Sequence, residues 1–499
     1  MSAAVDLPRP LLRGARGSVA CGHPLGVTAG LQALAAGGGA VDAAVAAAAA
    51  LAVVLPQSCG FGGDALLLVH APGGAVTAFN GSGAAPGGLA GPIPRDGAGA
   101  AAVPGAVAAW ADAHELLGRL AFAETLRPAL ELARDGFPVD EGLAAAVTRQ
   151  RPRLERGAPG WPLLRARAGE TVRQPPLAVL VEALARDGAR AFYEGPTAQA
   201  VAARCAADGG TLSAADLAAH RTVVRDALRV RFGPATVTLQ PPVSQAALAG
   251  LALRTLEAAA PSEAAGRTHV AIEAVEAAFE HRDELAVEGA AERLLSAPPA
   301  EIDRERARRL GGPRGYAHTT AVTTADASGT VVSMLISVFD DFGCASLVPE
   351  GGFLLNDRLA GCSSDPASPN AAAPGRRPVH TLAPALLEHG GRLLALATPG
   401  ADGQVQTLLQ VVDALVTEGA SLPDVLRRPR WRSQEARVLV EESVPDALAG
   451  ALSVRGHDLE RLPDGDGLFG AVAVAGVESG QGTVLAAADP RRETWAGVW

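Results

Sequence analysis

Residues 43–55 are an unbroken run of alanine, valine and leucine, and this run most limits how the chain can fold. Small apolar side chains all round predict a helix without a polar face. Such a helix must be packed closely on every side, as a central layer. Asp42 leads into it and Pro56 ends it. A preceding helix is expected over 26–36, stopped by Gly37-Gly38-Gly39. The run is too short and too alanine-rich to cross a bilayer.

The chain has 499 residues, 48% apolar and 19% charged, enough for one large layered domain or two or three ordinary ones. Its formal charge is −10, and all 43 basic residues are arginine. Without lysine there is no Schiff base and no P-loop lysine. The acidic balance argues against general nucleic-acid binding. Five widely spaced cysteines form no CxxC pair, so neither a disulfide scaffold nor a cysteine zinc site is expected, and no metal or cofactor is called for. Residues 1–16 lack the apolar stretch of a signal peptide. A cytoplasmic protein is the expectation.

Strands are expected over 65–70 and 75–79 as a hairpin, then helices over 106–117, 122–134, 176–186, 197–207, 213–220, 245–258 and 269–288. Short strands at 227–232 and 235–240 interrupt them. His281 with Glu280 or Asp283 reads as a solvated helix face. Gly60-x-Gly62-x-x-Ala65 has the letters of a dinucleotide fingerprint. It follows a helix and opens a strand, the reverse of what that motif requires.

The stretch Tyr316-Ala317-His318-Thr319-Thr320-Ala321-Val322-Thr323-Thr324-Ala325 opens a β-strand, and 330–338 returns after a turn at Gly329. A threonine hydroxyl becomes a nucleophile when a base takes its proton, and a free α-amine on the same residue can be that base. With a reference pKa of about 7.7–8.0, such an amine accepts protons near neutrality. The expectation is a backbone cut between His318 and Thr319, leaving Thr319 as a new N-terminus. Further on, strand 392–397, Thr398-Pro399-Gly400-Ala401-Asp402-Gly403 and helix 404–418 form a strand, glycine loop and helix junction. Its amides suit an anion or oxyanion. Strands 471–477 and 483–488 close the chain.

Together these blocks resemble the γ-glutamyltransferase family of N-terminal-nucleophile hydrolases. The likeness runs from His23-Pro24 through Gly38-Gly39-Ala40-Val41-Asp42-Ala43-Ala44-Val45-Ala46, Gly60-Phe61-Gly62-Gly63, Asn356, Arg377-Pro378, Thr398-Pro399-Gly400 and Arg428-Pro429-Arg430 to Asp489-Pro490-Arg491. It implies an α/β (α+β) fold, a four-layer αββα sandwich with a large helical part in the N-terminal portion. It implies one precursor cut into a large portion, 1–318, and a small one, 319–499, intertwined in one unit. It also implies Thr319 as nucleophile, Ser337 as the hydroxyl that steadies it, and the amides of Gly400 and Ala401 as oxyanion donors. A homodimer of processed units is compatible with it.

The donor pocket departs from the family. By the same resemblance, the carboxylate-binding arginine falls on Ser82, the ammonium-binding aspartate on Gly361 and its assisting asparagine on Phe339. A glutamine of the family falls on Arg358, and a serine pair on His380-Thr381. An ammonium beside Arg358 would be repelled, whereas a carboxylate there would be held. The expected activity is therefore transfer of a small anionic acyl group, oxamate- or glutaryl-like, from an amide donor to water or an amine. The alternatives are a genuine γ-glutamyl transpeptidase or glutathione hydrolase, and a silent relative kept for binding or structure.

Overall fold

The structure is a computed structural model that describes residues 9–314, 319–478, 480 and 482–499. Two seven-stranded sheets form its middle. One runs, edge to edge, Trp495–Val498, Gly17–Cys21, Thr320–Asp326, Val331–Ser337, Asp64–His70, Val76–Gly81 and Val223–Asp226. The other runs Leu12–Gly14, Thr483–Ala488, Ala473–Glu478, Arg392–Ala397, Ala385–His389, Ala235–Leu239 and Leu228–Phe232. Neighbouring strands are antiparallel throughout both. Each sheet combines strands from before and after residue 318.

Strand side chains alternate between faces, and both faces are apolar here. Ala321, Ala325, Val331, Leu335, Leu66 and Leu68 pack with Leu386, Leu393, Ala395, Ala397 and Ala473 of the other sheet. Val322, Val332, Met334, Ile336, Leu67 and Val69 point the opposite way, into the first helical layer. Helices Ala246–Ala259, Ala264–Phe279 and Gly403–Val416 cover the outer face of the second sheet. The result is the four-layer αββα sandwich that the resemblance implies.

Helix Ala40–Val54 carries the constraint read first from the sequence: all of its residues are buried. It lies between the first sheet and helices Pro24–Ala35 and Phe122–Asp135. Alanine lets these backbones approach closely, as the 2.6 Å hydrogen bond from Thr324 Oγ1 to the Ala40 carbonyl shows. The N-terminus of the helix is held by Asp42, whose carboxylate accepts the Gly39, Arg119 and Leu120 amides at 2.7, 2.9 and 3.1 Å. Far along the chain, Arg491 pairs with Glu441 and Asp489, and Arg430 with Asp489, all buried.

Several elements differ from the sequence reading, three helices among them. The expected helix 269–288 begins earlier and ends sooner, at Ala264–Phe279, and a 3-10 turn, Asp283–Ala286, follows. The break places Arg282 in a buried position beside Asp402 and Asp283. Helix Glu141–Gly157 was not anticipated, because Pro152 and its arginines obscure the period. Asp140 caps it at 2.6 Å, and Arg153 ties it to Asp96 and to the carbonyls of Asp341 and Gly343. Helix Ala290–Ser296 was also missed. Among the described residues, no helix is long and apolar enough to cross a membrane.

Close packing around an all-alanine face leaves no room for larger groups. Ala47→Leu should lower stability by about 1–3 kcal/mol, measured as a shift of the urea midpoint at unchanged slope.

Candidate active site

The hairpin Thr320–Asp326/Val331–Ser337 pairs Thr320 with Ile336, so one residue further Thr319 stands opposite Ser337. Their hydroxyl oxygens are 3.4 Å apart. Ser337 in turn pairs with Asp64 on the next strand. The last pair of the strand after that, Ala65 with Gly81, puts Ser82 opposite Asp64. A row of polar side chains, Thr319, Ser337, Asp64 and Ser82, therefore crosses the sheet on the face turned to the second sheet. Ser337 Oγ accepts the Phe339 amide at 2.9 Å, which fixes its position.

Asp64 is the hub of the row. Its carboxylate accepts Arg358 Nε at 2.7 Å, His380 Nε2 at 3.1 Å and the Gly83 amide at 3.2 Å. The side chains of Asp64, Arg358 and His380 are fully buried. Burial opposes ionisation of Asp64, but Arg358 and then His380 outweigh it and hold the carboxyl below its usual range. Burial, then Arg358, pushes His380 down to about 4 against the pull of Asp64. His380 is thus a neutral imidazole at pH 7. Its Nδ1 accepts the Leu382 amide at 3.2 Å, which leaves the proton on Nε2.

Arg358 gives only its Nε to Asp64. Its Nη1 and Nη2 are buried and meet no hydrogen-bond partner among the described residues. The Phe339 ring covers the guanidinium at 4.6 Å. A side chain on Gly361 would begin 3.3 Å from that ring, so Phe339 fills the space where the resemblance expects an acidic group. Asn356 Oδ1 accepts the Arg358 amide at 3.0 Å, and its Nδ2 bonds the Gly62 carbonyl at 2.9 Å, locking the glycine block to this loop.

On the second sheet, the loop after Arg392–Ala397 leads into helix Gly403–Val416. Gly400 has φ +126° and Ala401 +51°, a left-handed backbone that costs a non-glycine residue about 1–2 kcal/mol. Strain of this kind concentrates at functional loops. The loop's carbonyls are occupied: Gly400 accepts Gly403 N at 2.8 Å and Arg432 Nη1 at 3.2 Å, and Ala401 accepts Gln245 Nε2 at 2.9 Å. The Gly400 and Ala401 amides meet no acceptor among the described residues.

A cleft of about 820 Å³ opens over this region, lined by Thr319, Ser58, Asp140, Asp341, Pro399 and Arg492 among others. Its size suits a small-molecule site. Of the expected site residues Thr319 lines the cleft, whereas Ser337, Gly400, Ala401, Ser82, Phe339, Arg358, His380 and Thr381 do not. Ser82 is not aimed at a ligand, since its hydroxyl and amide both bond Asn80 Oδ1, at 2.6 and 2.9 Å. Thr381 is buried, and its carbonyl accepts Gln245. Arg358 is paired with Asp64. His318 lies outside the described residues. Sequence reasoning passed over Asp64 itself. The signal was its place as the last letter of Gly60-Phe61-Gly62-Gly63-Asp64, a charge where a glycine turn enters a buried strand.

The sequence profile of the Gamma-glutamyltranspeptidase family matches residues 26–499. The chain is 34% identical to the oxamate amidohydrolase proenzyme of Klebsiella pneumoniae, over 94% of this chain and 96% of that one. It is 31% identical to the acylase ACY 1 proenzyme of a Pseudomonas species, over 92% and 90%. The crystal structure of cephalosporin acylase from Bacillus halodurans matches with a TM-score of 0.88 at 28% identity, covering 100% of this chain and 99% of that one.

The neutral state of His380 makes a pH prediction. The unfolded imidazole titrates near 6.5 and the folded one at about 4, so between these values only the unfolded chain binds the proton. Stability from this group is complete above pH 6.5 and lost as pH falls towards 4. The loss is about 2 kcal/mol by pH 5. His220, also pushed down to about 4 by burial, adds to the same window. The lowered carboxyl of Asp64 acts below it. Urea midpoints at pH 7 and 5 should differ accordingly, and His380→Gln should narrow the difference.

Proposed function

The chain belongs to the gamma-glutamyltranspeptidase family, and from that premise we propose that it cuts itself between His318 and Thr319 and then works as an amidohydrolase on a small anionic acyl donor. It is an enzyme of the N-terminal-nucleophile type, like the amidohydrolases and acylases it resembles. The observation that carries the reading is the pair of hydroxyls, Thr319 and Ser337, 3.4 Å apart, with Thr319 lining the cleft.

In the first step Thr319 Oγ attacks the His318 carbonyl. The peptide becomes an ester, water opens it, and the Thr319 amine is freed. Portions 1–318 and 319–499 then form one enzyme. In turnover that amine takes the Thr319 hydroxyl proton while Oγ attacks the donor amide. The Gly400 and Ala401 amides face the developing oxyanion; one such donor is worth about 10²–10³ in rate. The amine leaves with a proton, and water or a second amine accepts the acyl group from Thr319. Proenzyme names among the relatives support processing.

Arg358 supports the donor class. A buried guanidinium with two uncommitted NH2 groups suits a carboxylate, which takes one N–H from each as a bidentate pair. The three donors already on Asp64 leave it little to offer an ammonium, and Gly361 supplies no acid. A monoamide of a small dicarboxylic acid, of the oxamate or glutaryl type, meets these terms. The curated relative named for oxamate agrees with this class.

Two experiments test the proposal. Purified protein should resolve on a denaturing gel into two fragments, the smaller beginning at Thr319, and Thr319→Ala should remain one chain. Sequencing that starts at Thr320 would remove Thr319 from its role. Separately, Arg358→Gln should raise KM for oxamate or a glutaryl amide at least tenfold while self-cleavage continues. A wild type that hydrolyses γ-glutamyl anilide and neither of those amides would refute the donor class.

A further inference from the structure

Another cluster of chemistry-bearing side chains lies in the outer helical layer of the second sheet. His269 and Glu273 are one helical turn apart on Ala264–Phe279 and so share a face. His457, just beyond helix Asp446–Val454, meets them from the side, its amide held by the Leu452 carbonyl at 3.2 Å. All three are buried. One donor atom from each, an imidazole nitrogen or a carboxylate oxygen, lies within 4.8 Å of the others. His269 Nδ1 and His457 Nε2 are 2.8 Å apart.

The surroundings orient these groups as a metal site requires. His269 Nε2 is 3.0 Å from the Asp303 carbonyl, which can only accept, so that nitrogen carries the proton. Nδ1 is left with its lone pair towards His457 and Glu273. Metal-bound imidazoles are normally fixed by such a bond from the second nitrogen. Glu273 accepts the Arg308 amide at 3.1 Å and Arg308 Nε at 3.3 Å. A carboxylate has about four acceptor sites, so these two bonds orient it and leave capacity.

We propose that His269, Glu273 and His457 bind one divalent transition-metal ion of the zinc, cobalt or nickel class. Two imidazoles with one carboxylate favour that class over magnesium or calcium, which take oxygen ligands. His457 becomes a ligand by moving its proton from Nε2 to Nδ1, so no proton is lost. With metal–nitrogen bonds of about 2.0–2.1 Å, tetrahedral ligands sit about 3.3 Å apart, so the rings need separate by only about 0.5 Å. Water completes the fourth position. Asp303 and Arg308, the groups that orient the ligands, belong to the segment that runs on to Arg314 and Thr319. The ion would therefore pin that segment to helix Ala264–Phe279.

The test uses full-length, tag-free protein, treated with chelator, desalted and titrated with Co²⁺. A visible band of tetrahedral cobalt should saturate at one equivalent. Glu273→Gln and His457→Ala, each first shown to melt like wild type, should weaken binding at least tenfold. Glu273→Gln keeps an acceptor for the Arg308 amide and serves alone where the alanine variant does not fold. Bound Co²⁺ should also slow trypsin cleavage in the arginine-rich stretch 304–309 of wild type, and not of the variants. No saturable band, or a wild-type midpoint in the variants, overturns the proposal.

Discussion

The register of the central hairpin leaves no freedom. Both faces of Thr320–Asp326 and Val331–Ser337 are buried, one against a sheet and one against helices. A slip of one residue would turn every side chain to the wrong layer. The turn enforces the pairing: Gly329, at φ +92°, donates to the Asp326 carbonyl, and Asp326 Oδ1 accepts the Ser328 amide at 2.8 Å. Only in this register do Thr319 and Ser337 face each other at the open end of the sheets. The site is thus set by a turn at the far end of the same two strands.

Charge is the second constraint. Moving Asp64, Arg358 and His380 out of water is costly, and a buried pair is stable only with good geometry and few unmet groups. Asp64 meets this condition through three donors, whereas Arg358 does not, since Nη1 and Nη2 remain unmatched. Each such group costs about 1–3 kcal/mol. On the proposed function, the carboxylate of the donor would satisfy them. Phe339, with φ +84°, lays its ring on the guanidinium.

Much of this was legible in the sequence, for physical reasons that differ by element. Helix Ala40–Val54 and the strands around Thr320 announced themselves because composition and period agreed. Helix Glu141–Gly157 did not, because Pro152 and a charged face mask a short apolar stripe and tertiary bonds from Arg153 do the holding. Local pattern marked Thr319 and the Gly400 loop as candidates, and the family resemblance added Ser337. Local pattern could not reveal the Asp64–Arg358 pair, whose members are 294 residues apart. Nor could it bring His269 to His457, which are 188 apart. Contacts of that range are written in the fold and not in any window of sequence.

The interleaving of strands has a consequence for the life of the molecule. Thr320–Asp326 and Val331–Ser337 are hydrogen-bonded between Gly17–Cys21 and Asp64–His70. With the proposed cut made, neither portion could leave without opening two buried interfaces, so the halves would stay together for as long as the core does. Their association would be a matter of rate rather than of equilibrium. Once unfolded, they would have to find each other as two molecules, paying an association entropy the uncut chain never met. The native state would then carry a memory: it could be reached from the precursor, and heat would erase the route back.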